Sequence, residues 1–150
     1  MSFVSYHCHS TWSDGKAAIP DMIAGAAAAG LLEFGLSDHF ALTPYSDTNA
    51  HQWSMPRNGR ALEDCLAELR CAAVGAPLPV RFGVEADYFP ETWPRVKELL
   101  AGLGLDYVIA SVHYVERFPI DSAARYWEPL SQAEVDQIGR ASCRERVWAV

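Results

Sequence analysis

The stretch Tyr6-His7-Cys8-His9-Ser10-Thr11-Trp12-Ser13-Asp14-Gly15 decides the fold, because it closes one strand with an H-x-H pair and leaves that strand through an acidic turn. Residues Phe3 to Cys8 predict a first short strand. Its period of two sends His7 and His9 to one face and Cys8 to the other. Two imidazoles from one strand suit a divalent metal, and Asp14 offers a carboxylate a few residues on. Alone, an H-x-H is more often a surface or core pair than a ligand set, and Asp14-Gly15 is an ordinary turn.

Outward from this stretch, apolar runs alternate with amphipathic ones, which is the pattern of a parallel α/β fold. A helix opens at Ile19, with Pro20 near its first position and Asp21 in its first turn, and ends at Gly30 as C-cap. Glu33 to Ser37 predicts the second strand, Ala41 to Arg57 a polar loop, and Ala61 to Ala73 the second helix. Val80 to Val84 predicts the third strand, Pro94 to Leu103 the third helix, and Tyr107 to Val112 a fourth strand, apolar enough to be covered on both faces. Four β/α units result.

The chain has 150 residues, half of them apolar, and a formal net charge of −7. A core of useful size is possible, whereas a full eight-stranded barrel needs about 250 residues. The acidic balance, with Lys only at 16 and 97, disfavours a nucleic acid partner and favours a small substrate. No apolar run is long enough for a membrane span. Without a signal-like N-terminus or a disulfide spacing, a cytoplasmic location is expected; Cys8, Cys65 and Cys71 read as core or surface thiols.

All the histidines except His51 stand at predicted strand ends: His7 and His9, then Ser37-Asp38-His39, and finally Ser111-Val112-His113, with Gly83-Val84-Glu85 ending the third strand. Side chains from neighbouring strand ends converge in parallel sheets. Each residue has a plain structural reading, but together these imidazoles and carboxylates would repel or sit unsatisfied without a cation, so a multinuclear metal site is expected. His51 reads as a solvated or substrate-proximal loop residue. No G-x-S-x-G or redox C-x-x-C motif supports a nucleophile.

At these residues the chain resembles the polymerase and histidinol phosphatase (PHP) family. Tyr6 to Gly15 resembles its first motif, Gly35 to His39 its second, Gly83 to Glu85 its third, and Ala110 to His113 the strand that follows. The stretches Glu85 to Pro90, Asp106 to Tyr114, Phe118 to Asp121 and Tyr126 to Ser131 resemble the histidinol-phosphatase branch in particular. The resemblance implies the first four or so β/α units of a distorted seven-stranded (β/α)7 barrel, incomplete at the C-terminus. It also implies up to three divalent ions, zinc, manganese or iron, and hydrolysis of L-histidinol phosphate, a phosphate monoester, in histidine biosynthesis. His7 and His9 would bind one metal, Glu85 would bridge two, His113 would serve the second, and Asp14 with His39 the third. Glu85, His113 and Asp38 would be catalytic, Asp38 by orienting His39 or another ligand. The family's later His and final Asp-x-His have no counterpart after His113.

Ser131 and Glu134 form a capping box announcing a helix, but the apolar period is lost from Ile138 on. The segment Ile138 to Val147 resembles a translated sequencing adapter, so residues 1–137 are expected to form the N-terminal part of the phosphatase domain and 138–150 a non-native tail that makes Cys143 uninformative. Two other functions remain open: a PHP-type phosphoesterase acting on nucleotides or DNA ends, and a non-catalytic metal-binding half-barrel. Substrate contacts are not assigned. His51, Trp53 and Arg57 in the polar loop, and Arg117 and Arg125 further on, are candidates. The oligomeric state is open.

Overall fold

The structure is a computed structural model and describes residues 3–45, 54–55, 62–121 and 123–148. Strand and helix alternate as β1 (Val4–Ser5), α1 (Ile19–Ala28), β2 (Glu33–Leu36), β3 (His39–Phe40), α2 (Leu62–Ala73), β4 (Val80–Asp87), α3 (Trp93–Leu100) and β5 (Tyr107–Ser111). A short hairpin, β6 (Tyr114–Val115) and β7 (Phe118–Pro119), and the helix α4 (Gln132–Trp148) follow. All pairing among β1 to β5 is parallel. Phe34 lies opposite Val80, Leu36 opposite Phe82 and His39 opposite Glu85, so β2 and β3 keep one register along β4 and form a single strand line interrupted at Ser37 and Asp38. The spatial order therefore follows chain order, as in a stretch of barrel wall.

Several boundaries differ from the sequence reading. β1 ends at Ser5 rather than Cys8, because its ladder with β2 ends at Ser5 opposite Phe34. Beyond that point the Ser37 amide still donates to the Cys8 carbonyl at 2.9 Å, and the alternation survives, with Cys8 packed on the core. β4 runs on past Val84 to Asp87, paired with β3 on one side and with β5 on the other. Glu85 thus sits inside a strand, not at its end. The capping box is formed, Ser131 N donating to Glu134 Oε2 at 2.8 Å and Glu134 N to Ser131 Oγ at 3.4 Å. α4 continues unbroken past Ile138 to Trp148, since Ala, Arg and Glu favour helix without an apolar stripe. The first helix closes as a Schellman turn, with Ala29 as the cap and Gly30 at φ +73°, one residue beyond it.

The period of two divides each strand between two environments. Phe34 and Leu36 of β2 and Val84 and Ala86 of β4 pack with Ile19, Ile23, Leu66, Leu69, Val96 and Leu100 of the helices in one buried core. The residues between them face the other way, onto the inner face. There, Arg81 binds Glu33 through two hydrogen bonds of 2.9 and 3.0 Å. The ring of Tyr107 lies on Gly83, where an added Cβ would come within 2.1 Å of its Cζ. Gly83→Ala is therefore expected to force the ring out and destabilise the chain by about 3 kcal/mol, at the upper end for overpacking. A denaturant titration showing a loss under about 0.5 kcal/mol would contradict this packing.

Candidate metal centre

Above Tyr107 on the inner face, every residue expected to bind metal comes together. β4 delivers Glu85, which is 2% exposed, and places its carboxylate among four imidazoles. His7 Nε2 donates to Glu85 Oε2 at 2.7 Å, and His9 Nε2 stands 2.9 Å from the same oxygen. His39 Nδ1 is 3.3 Å from Oε2, and His113 Nε2 is 3.5 Å from Oε1. Asp14 Oδ1 accepts from His9 Nδ1 at 2.8 Å and lies 3.8 Å from His39 Nε2. Three overlapping groups follow, His7–His9–Glu85, His9–Asp14–His39 and His39–Glu85–His113, each with its donor atoms within 4.8 Å of one another.

The residues fit a cation. Ligand atoms of a tetrahedral zinc lie about 3.4 Å apart, and the separations above bracket that value. His9 is the most telling. In the neutral ring, with Nδ1 donating to Asp14, Nε2 presents a lone pair to the oxygen of Glu85 at 2.9 Å, without the alignment of a hydrogen bond. Two acceptors so placed need a proton or a metal between them. Burial opposes protonation of His9, but its contacts with Glu85 and Asp14 outweigh burial and push its pKa up to about 9. His39 goes the other way: burial lowers it to about 4 despite the nearby Glu85, leaving it neutral and able to ligate. Burial would raise the carboxyl of Glu85, yet the adjacent His9 imidazole and the hydrogen bond from Ser111 hold it well below the usual range.

Asp38 accepts from Ser10 N at 2.7 Å, Ser10 Oγ at 2.6 Å and Ser13 Oγ at 2.5 Å, and so fixes the loop between His9 and Asp14. Its place beside His39 in sequence points its side chain to the opposite face, as strand alternation requires. Two further groups touch candidate ligands directly: Asp87, which accepts from His113 Nδ1, and Ser111, which donates to Glu85 Oε1. Asp87 and Ser111 lie two residues from Glu85 and His113 respectively, so the same period of two marks them in the sequence. Burial raises the carboxyl of Asp87 against the pull of His113; burial also opposes protonation of His113, but Asp87 outweighs it and raises the imidazole.

A cavity of about 520 Å³ opens beside the cluster, lined by His7, Glu85, Ser111, His113, Ile120 and Asp121. Arg117 stacks over the Tyr45 ring at 5.1 Å, and Arg125 over Tyr126 at 5.0 Å. His51, Trp53 and Arg57 lie outside the described residues. Cys65 is buried in the core and Cys71 is exposed. Among the described residues no helix is long and apolar enough to cross a membrane.

Two curated relatives are both named "Probable histidinol-phosphatase". The one from Deinococcus radiodurans is 31% identical over 119 residues, covering 77% of this chain and 44% of its own length. That from Schizosaccharomyces pombe is 25% identical over 138 residues, covering 86% and 44%. The chain thus spans less than half the length of these relatives. Among solved structures, a protein of Listeria monocytogenes assigned as a histidinol phosphatase superposes with a TM-score of 0.67 at 16% identity, covering 84% of this chain and 52% of its own. The histidinol phosphate phosphatase of Lactococcus lactis, solved with zinc, L-histidinol and phosphate, gives 0.50 at 21%, covering 77% and 42%. These likenesses are of fold, and their partial coverage fits an incomplete barrel. Residues 5–144 match the PHP domain, and with Glu85 gathering histidines from each neighbouring strand line, the chain belongs to the PHP domain family.

Proposed function

We propose that the chain is the N-terminal, metal-holding part of a phosphoric monoester hydrolase whose substrate is L-histidinol phosphate. The convergence of three donor groups on one inner face, two of them sharing Glu85, carries this reading. His7 and His9 with Glu85 would hold one ion, Glu85 with His113 a second, and Asp14 with His39 a third. Zinc, manganese and iron all suit imidazole and carboxylate donors. Divalent ions bound there supply Lewis acidity and an activated water for attack on phosphorus.

The chain's own residues do the positioning. Asp87 fixes the His113 ring so that Nε2 faces Glu85, and Ser111 holds one Glu85 oxygen so that the other meets His7 and His9. The adjoining cavity has room for a small phosphate ester, and Asp121 on its wall suits the cationic amino end of such a substrate. The names of the curated relatives support this choice of substrate. No histidine follows His113 in these 150 residues, so the imidazoles of the cluster are those of His7, His9, His39 and His113.

The test compares phosphate release from L-histidinol phosphate, nucleoside monophosphates and single-stranded DNA, with manganese or zinc. It uses the chain both alone and extended to the relatives' length. The extended chain is expected to release phosphate from L-histidinol phosphate and to stop when a chelator is added, while the 150 residues alone do not turn over. Preference for nucleotides or DNA would assign the fold to another phosphoesterase, and turnover by the short chain would refute the need for further ligands.

A further inference from the structure

We propose that Tyr107 is a positioning residue for the metal cluster, its ring occupying the space over two glycines and its hydroxyl clamping the backbone of the segments that carry His7 and His39. Tyr107 stands opposite Gly83 in the register of β4 and β5, and its ring lies across that glycine and on to Gly35 of β2. A Cβ at Gly35 would meet the phenol oxygen at 2.5 Å. That oxygen lies 2.7 Å from the Tyr6 carbonyl and 3.1 Å from the Leu36 carbonyl. One hydroxyl proton serves these two acceptors, and the shorter contact takes the larger share.

Both carbonyls stand where the sheet gives out. The β1–β2 ladder ends at Ser5 opposite Phe34, and the β2–β4 register is interrupted after Leu36 opposite Phe82. Tyr6 precedes His7, and Leu36 precedes Ser37, Asp38 and His39. A side chain from β5 therefore takes over from the ladder where the chain leaves it to present ligands. The ring also rests against the Tyr6 ring, their centroids 5.5 Å apart. Burial raises the phenol's pKa, so it remains a donor.

This inference rests on the reading that the imidazoles hold metal, and its test reads metal binding rather than turnover. The whole chain, Tyr107→Phe and Tyr6→Phe are titrated with zinc against a chromophoric chelator, and with cobalt followed by its visible spectrum. Tyr107→Phe keeps the ring and loses only the clamp; its tightest ion is expected to bind about tenfold more weakly, with a changed cobalt spectrum. Tyr6→Phe removes a hydroxyl from the same floor without touching either carbonyl and is expected to bind as the parent does. Equal affinity in Tyr107→Phe, equal weakening in both variants, or loss of fold in Tyr107→Phe by circular dichroism each overturns the proposal. A parent chain that binds no ion overturns the metal reading itself, a result distinct from a parent that binds and a Tyr107→Phe that binds as well.

Discussion

Glu85→Gln is expected to leave the chain folded and to lower its affinity for divalent metal by at least about 100-fold, more than the 10- to 100-fold typical of removing an outer partner of a ligand. The amide matches the carboxylate in shape, so the buried site keeps its packing. It removes the negative charge that His7, His9, His39 and His113 all approach, and it turns an NH2 toward imidazoles whose lone pairs a cation needs. Because Glu85 belongs to two of the three donor groups, one substitution disables both. Metal content after dialysis against zinc, with circular dichroism as the check on fold, measures this. Parent-like zinc in a folded Glu85→Gln would show that the histidines bind without their shared carboxylate.

Asp38→Ala is expected to act on stability, lowering it by about 4 kcal/mol, since hydrogen bonds to a carboxyl contribute about 1.5–3 kcal/mol each and are not additive. The side chain is 2% exposed and accepts three hydrogen bonds from Ser10 and Ser13. Alanine leaves these donors buried without that acceptor, within a loop so tight that a Cβ on Gly15 would approach the His9 carbonyl to 2.0 Å. Asp38→Asn, which keeps the shape, is expected to lose about half as much. Urea titration of the metal-free chain separates the two, and a loss below about 1 kcal/mol for alanine would return Asp38 to the role of a partner of His39.

The parts of the fold and site that depend on local periodicity were legible in the sequence. The β/α alternation, the helix ends at Pro20 and Gly30, and the shared direction of His7 and His9 follow from spacing alone, and the structure shows each of them. What depends on chain segments far apart in sequence was not. Asp38 meets Ser10 and Ser13 because the loop after His9 folds back under the second strand line, and nothing beside Asp38 in sequence announces that. The ring of Tyr107 crosses to Gly83 and Gly35 for a similar reason: only the registers of β4 with β5 and of β2 with β4 put them together. Asp87 and Ser111 stand between these cases, since the rule that paired His7 with His9 also links Glu85 to Asp87 and Ser111 to His113.

β4 carries the core on one face and, on the other, Arg81, Gly83, Glu85 and Asp87 in succession, so it acts as the frame in which both sets are spelled. Inserting or deleting one residue between Val80 and Asp87 would exchange the two sets, turning Val84 toward the histidine cluster and Glu85 toward the helices. Variation in length, the usual currency of change in α/β proteins, is therefore closed to this segment and left to the loops, while substitution within either face remains open.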